Sequence, residues 1–419
     1  MKKIVRLIEK IEGEAELVCG YENERVSDVQ IRFATSRHIE TILKGKDPLD
    51  ALAINPRVCG ICGHAHLIAT VRALESCYEN VKLTQKAEKI REITLSLELL
   101  QNHFKWFYLT VMPLLELGED VEKAAMPSRI VGEMIALAAG QYPHTSYAIP
   151  GGIVSQITPL ELLGIKERLK EVQTIFSDNI IDADPSFFKD CDKVELMLDR
   201  RGDLPAAMKR ILERGWERIG KSLDRFIVFG GGLFKPGKSI GTRITENLSL
   251  RYIEEEPIKN SAAMRVSYKK REFETGPLAR AMLRKTPLVK EAHRRYGDSI
   301  FTRILARVCE IPQLIIYIDE LLKQIEPSEE SWIDPGQLPP KSSGTGVVEA
   351  ARGSLVHKLE IEEGVISKYE IITPTQWNLS TGTTERPGVA QKAILGLLRN
   401  DPIDLVFKSF DVCSVCTTH

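Results

Sequence analysis

The sequence predicts an α+β fold dominated by helices. It reads as one unit over residues 1–419, with a long central helix bundle, β segments near the N-terminus and late in the chain, and the two ends joined at a metal site. Three observations predict it. Residues 86–117 carry an apolar stripe at helical period with Pro113 as the only breaker. Strand-like alternation is confined to 16–33 and 358–374. Cysteine pairs spaced C-x-x-C stand near both ends, Cys59 with Cys62 and Cys413 with Cys416, and a shared ion would draw them together.

Taken in order, ELVCGYENERVSDVQIRF (16–33) reads as two strands around a turn near Glu22–Arg25. SRHIETILKGKDPLDALA (36–53) reads as a helix broken near Asp47-Pro48. The stretch 86–117 is a long core helix, kinked late at Pro113. Helices follow at 127–141 and 158–181; between them YPHTSYAIPGGIVSQ is loop, with a tight turn at Pro150-Gly151-Gly152. Residues 185–275 alternate short polar and apolar runs without a clear period. Helix returns at 275–285 and 298–326, and 333–346, rich in Pro, Gly and Ser, is loop. Strand-like KLEIEEGVISKYEIITP (358–374) and a helix at 389–400 complete the chain.

Composition excludes several classes. Hydrophobic residues at 43% and charged residues at 27% describe a globular chain. Lys+Arg 57 against Asp+Glu 58 gives a net charge of −1, which offers nucleic acid nothing, and the basic run YKKRE (268–272) is a solvated face. No apolar run reaches the roughly 18 residues of a membrane span. The opening MKKIVRLIEKIEGEAEL has two lysines like an export signal, but Arg6, Glu9, Lys10 and Glu12 interrupt any apolar core, so export by that route is not expected. Eight cysteines are too few for a disulfide scaffold, so a reduced, cytoplasmic setting is expected.

Two C-x-x-C turns can build a four-thiolate cage, and on spacing alone a structural zinc site joining the chain ends is an open reading. Two features count against plain zinc. A chain with this much core does not need a staple, and the cysteines have other chemical types beside them: Arg57, His64 and His66 at one end, Asp411 and His419 at the other. Cys19, Cys77, Cys191 and Cys309 are isolated and expected in the core.

RVCGICGHAH (57–66) together with DVCSVCTTH (411–419) resembles the large subunit of nickel–iron hydrogenases. The resemblance runs along the whole chain: KIEGEAEL (10–17), HIETILKGKDPLDA (38–51), PHTSYAIPGG (143–152), EAARGSLVH (349–357) and ITPTQWN (372–378) match its motifs in order. It implies that all four cysteines bind nickel as thiolates, with Cys59 and Cys413 terminal and Cys62 and Cys416 bridging to iron. Soft thiolates suit that role. It also implies carbon monoxide and cyanide on the iron, with Arg352 and Thr375, just after Pro374, donating to the cyanides. His66 would donate to a cysteine sulfur. Asp411 and Arg57 would stand beside the ligands. Glu40, the carbonyl of Ile371 and His419 would hold a structural magnesium, and Glu12 would carry the proton released when H2 is split. Each has an ordinary alternative: Arg352 as a surface ion pair, Thr375 as a turn residue, Glu40 and Glu12 as solvated charges. His64 and His357 are given no role.

The sequence departs from the family where Asn102-His103 replaces Asp-His, where Val412 replaces a proline after Asp411, and where Ala351 replaces a proline before Arg352. These changes leave the ligands intact. The resemblance implies metal-insertion factors and a maturation protease, so a chain ending at His419 reads either as the mature product of that protease or as a gene that simply ends there. The activity implied is reversible heterolytic cleavage of H2. With no further cysteine sets for iron–sulfur clusters in the sequence, electrons would leave through an iron–sulfur small subunit and further flavin or iron–sulfur subunits, to NAD(P), deazaflavin or ferredoxin. A hydrogen sensor would share every ligand.

Overall fold

The computed structural model describes residues 2–11, 13–34, 36–234, 238–240, 248–383 and 385–417. Lys2–Ile11 (β1), Gly13–Glu22 (β2) and Arg25–Arg32 (β3) form an antiparallel sheet in that order. The turn between β2 and β3 is Asn23-Glu24, both at positive φ (49° and 59°), as a two-residue hairpin with right-handed twist requires. Alternate residues Leu17, Cys19, Val29 and Ile31 are buried and place one face of this sheet on the core. The lysine-bearing opening is thus an edge strand, where charges on the solvent side are favourable.

The helical part follows the predicted stripe. Ile39–Leu43 (α1) stops before Asp47-Pro48, whose side chain and ring start a 3₁₀ turn. Gly63–Glu75 (α2) precedes the 22-residue Gln85–Trp106 (α3), which Thr84 caps by accepting from Ala87 N–H. The regular helix ends before Pro113: a π-helical turn at Phe107–Val111 has already opened the hydrogen-bond ladder. Val121–Ala139 (α4) begins six residues before the predicted start because Asp120 caps it, and Pro159–Ile175 (α5) begins in a capping box of Thr158 and Glu161. Pro277–Arg284 (α6) and Ile300–Leu322 (α7) complete the bundle, with α7 packed on α3, α5 and α6 and α4 packed between α3 and α5.

The second sheet corrects the expected loop at 333–346. Ser342–Ala350 (β4), Gly353–Glu362 (β5) and Val365–Ile372 (β6) form an antiparallel meander, so the strand begins at Ser342. SSGTG looks like loop, but its glycines serve contact. A Cβ on Gly346 would lie 1.9 Å from the Ala69 carbonyl oxygen and one on Gly344 2.0 Å from that of Ala73, because the backbone of α2 rests directly on β4. The expected helix at 389–400 ends at Ile394: Gly396 is at φ 85°, and the chain then pairs with β3 through Val26 N–H and the Leu397 carbonyl. The described residues between 185 and 275 form short helices, which pack on the main core through Phe188, Val194 and Met208, and two-stranded hairpins over a small second core that includes Tyr268, Phe273 and Trp377. Pro374–Leu379 (α8) and Ser414–Thr417 (α9) bring the end of the chain against β2. The four isolated cysteines are all buried, as expected. Among the described residues no helix is long and apolar enough to cross a membrane.

Candidate metal centre

The first cysteine pair sits on a turn that three side chains immobilise. Cys59 follows a 3₁₀ turn at Asn55–Val58, and Cys62 stands at the N-terminus of α2. Unpaired N–H groups at a helix start attract an anion. Here Glu98, on α3, accepts from His64 N–H (2.7 Å) and Ala65 N–H (2.9 Å). Arg37 donates to the Val58 carbonyl (2.8 Å) and Asn102 to that of Ile61 (2.7 Å). Gly63 is forced: a Cβ there would lie 2.5 Å from the Pro56 oxygen.

The second pair arrives from the far end. Cys413 precedes α9 and Cys416 lies within it; the Ser414 hydroxyl donates to the Glu14 carbonyl (2.7 Å) and that of Thr417 to the Cys413 carbonyl (2.7 Å). All four cysteines are buried, and their sulfurs lie within 4.8 Å of one another. Cys413 and Cys416 are 2.9 Å apart, Cys62 and Cys416 3.2 Å, Cys59 and Cys413 3.7 Å. Cys59 and Cys62 face the other pair from the same turn, and as thiolates all four are what a metal binds.

Arg352 occupies the two-residue turn of the β4–β5 hairpin, where Ala350 pairs with Gly353. It is buried, not a surface ion pair. Its Nε donates to the Asp411 carbonyl (3.0 Å) and pairs with the Asp411 carboxylate (3.1 Å), and a terminal nitrogen reaches Asn102 Oδ1 (3.5 Å). Asn102 therefore ties the first cysteine turn to Arg352 without a charge. Asp411 is at φ 53°, a left-handed conformation in which Asp is among the tolerated residues. A cavity of about 330 Å³ reaches this corner and is lined by Ile61, Asn102, Trp106, Arg352, Asp411 and Val412. Thr375 lies one residue after Pro374 in the first turn of α8, buried, its hydroxyl without a hydrogen-bond partner among the described residues.

The histidines divide differently from expectation. His66 Nδ1 and His357 Nε2 are 3.0 Å apart, and His357 Nδ1 is 2.8 Å from the Tyr369 hydroxyl. His357, given no role from sequence, thus belongs to the support of His66. His64 is buried against Tyr147, and burial lowers it to about 3. Burial raises Glu98 to about 7 against the two N–H donors that favour its anion. Glu40 Oε1 accepts from Ile371 N–H (2.6 Å), so this carboxylate stands against the residue whose carbonyl was expected as a magnesium ligand. His419 and Glu12 lie outside the described residues. Arg57 is a correction: it is exposed and donates to the Ala53 carbonyl one turn back, in its own helical segment and not among the buried groups around the sulfurs.

The comparisons with known proteins agree with this geometry. The family model for nickel-dependent hydrogenases matches residues 37–113 and 252–419, which include both cysteine pairs. The chain belongs to the nickel-dependent hydrogenase family. It is 25% identical to the periplasmic [NiFeSe] hydrogenase large subunit of Desulfomicrobium baculatum, over 98% of this chain and 93% of that one. It is 23% identical to the NAD-reducing hydrogenase HoxS subunit beta of Cupriavidus necator, over 100% of this chain and 94% of that one. The fold matches the Ni-Fe-Se hydrogenase of D. vulgaris Hildenborough with a TM-score of 0.84 at 21% identity, over 100% of both chains. This hydrogenase is a catalytic large subunit of the nickel–iron type. Its residues fit that metal. An ion bound by thiolates at about 2.3 Å can hold sulfurs no more than about 4.6 Å apart, close to the observed limit. The donor set is soft, as such a metal prefers.

Sequence reasoning missed Glu98, His357, and a set of buried charges on α6 and α7. A signal was present: in IFTRILARVCEIPQLII, Arg303, Arg307 and Glu310 interrupt an apolar helix at spacings that keep them on one face.

Proposed function

We propose that the four cysteines hold nickel as thiolates, with Cys62 and Cys416 shared with an iron that carries carbon monoxide and cyanide. The observation that carries this is the convergence of four buried sulfurs from opposite ends of the chain, within 4.8 Å, beside a buried arginine. When bound, the two metals supply the Lewis acidity and redox range for heterolytic cleavage of H2. The protein's share is to hold, orient and exclude water. Arg352 and Thr375 donate to the cyanides, and His66 donates through Nε2 toward a cysteine sulfur, its ring set by His357. Glu12 takes the released proton and passes it outward. Glu40, the Ile371 carbonyl and His419 hold a magnesium that ties down the chain end.

Among the described residues there is one cluster of metal-ligating groups, the four cysteines, so a partner must take the electrons. We assign that role to an iron–sulfur small subunit followed by flavin or iron–sulfur subunits, with NAD(P), deazaflavin or ferredoxin as final acceptor, in the cytoplasm. The likeness to an NAD-reducing relative supports pyridine nucleotide as one such acceptor. Maturation by metal-insertion factors and a maturation protease belongs to the same reading, as does a single domain over 1–419.

Elemental analysis and infrared spectroscopy of the matured protein test it. Nickel and iron near one to one, with carbon monoxide and cyanide bands, are expected; zinc alone without those bands sinks the assignment.

A further inference from the structure

Behind Arg352 lies a closed ring of buried polar side chains. Asp411 accepts from Arg352 on one side and meets Arg307 on the other, with Arg307 Nη2 2.5 Å from Oδ2 as a charge contact off the hydrogen-bond axis. Arg307 Nε donates to His103 Nδ1 (3.0 Å), so that nitrogen is unprotonated. The neutral ring then carries its proton on Nε2 and donates it to Glu310 Oε2 (2.7 Å). Glu310 is gripped through both oxygens by Arg280 (2.8 and 2.7 Å). Arg280 closes the ring by donating to the carbonyls of Ala350 (2.9 Å) and Ala351 (3.3 Å), the two residues before Arg352.

Every member is buried. Arg352, Arg307 and Arg280 are balanced by Asp411, Glu310 and Glu349, the last 3.3 Å from Arg280, so the assembly is neutral only with His103 uncharged. Burial and the charge of Arg307 lower His103 to about 4, and Arg280 outweighs burial to hold Glu310 at about 2. Such a group costs about as much to desolvate as it returns, so stability alone does not explain it. What the ring does accomplish is geometric. One arm fixes the backbone that leads into Arg352, and the other fixes the carboxylate that its guanidinium grips.

We propose that Arg307, braced by His103 and Glu310, is a positioning residue that aims the Arg352 guanidinium at the metal centre through Asp411. The proposal rests on the reading of Arg352 as a donor to the iron's cyanides. Lysine at 307 keeps the charge but has no fork, so it cannot hold His103 and Asp411 together.

The test uses Arg307→Lys, Arg352→Lys and the double variant in the fully matured enzyme, reading nickel per chain, the infrared cyanide bands and H2 oxidation. Arg307→Lys is expected to keep its nickel, shift the cyanide bands in the same direction as Arg352→Lys, and slow turnover about 10²-fold, the scale of a small misplacement. The double variant should be no slower than the slower single one, because both act through one contact. Multiplying effects, or wild-type bands and rate in Arg307→Lys beside an impaired Arg352→Lys, overturn the positioning role and leave the reading of Arg352 standing. Wild-type behaviour of Arg352→Lys overturns that reading itself. Should Arg307→Lys lose its nickel, His103→Leu removes the brace without changing the charge balance, and the same comparison with Arg352→Lys decides.

Discussion

His64 shows how a single buried ring shapes the behaviour of the site. It stacks on Tyr147 with ring centroids 5.5 Å apart, and its Nε2 has no partner among the described residues. Burial lowers it to about 3 from an ordinary 6.5. A base held below its unfolded value favours the neutral folded state. Stability is therefore intact above pH 6.5 and is lost progressively as the pH falls from there toward 3. The loss from this group alone is on the order of 5 kcal/mol at the acid end. His64→Phe keeps the stacking and removes the proton site. It is expected to flatten the fall in unfolding free energy between pH 6.5 and 4, measured by denaturant titration at each pH; an unchanged slope would show that His64 is solvated. Only the family resemblance separates His66 from His64 in the sequence, since both follow the cysteines on one helix. Which nitrogen finds a partner depends on His357 and Tyr147, residues remote in the chain.

At the scale of elements, the position of the first cysteine turn depends on how closely α2 lies on β4. The contact is backbone to backbone at Gly344 and Gly346, and any side chain there pushes the helix outward. Gly346→Ala is expected to cost about 2 kcal/mol, the usual scale of overpacking, and to lower nickel occupancy because Cys62 stands at the start of that helix. Thermal unfolding together with nickel analysis checks it; a variant as stable and as metal-rich as the wild type would mean the strand can move away freely. The long helices α3 and α7 were legible from period alone, because a buried bundle helix must repeat its apolar residues every turn. β4 was not, because SSGTG owes its strand conformation to the helix above it and has no apolar alternation of its own. Likewise the π turn at Phe107–Val111 carries no Pro or Gly to announce it.

At the scale of the whole molecule, the metal site is built by closing the chain on itself. Residues Ser414–Thr417 lie against β2 and α8, and the Ser414 hydroxyl donates to the Glu14 carbonyl. Half of the cysteine cluster therefore comes from the far end of the chain. A chain truncated before Cys413 is expected to retain the helical bundle, whose core is elsewhere, yet to incorporate no nickel and to bind an apolar dye at the opened cleft. Circular dichroism, metal analysis and dye fluorescence separate these effects; nickel retained at wild-type level in the truncated chain would remove Cys413 and Cys416 from the centre.

The sequence by itself determined the ligands, their grouping into two pairs and the helical character of the middle. Thiolate spacing and apolar period are local properties, written in neighbouring residues. Only the tertiary structure decided which charges stand behind them. Arg280, Arg307, Glu310 and His103 come from three helices, and each is tolerable inside the protein only because the others neutralise it. Their pairing is a property of packed helices, since a buried charge is defined by its partner across space and not by its neighbours along the chain. The same reason places Arg57, two residues before the first cysteine, outside the buried groups around the sulfurs, and His357, nearly 300 residues away, within them.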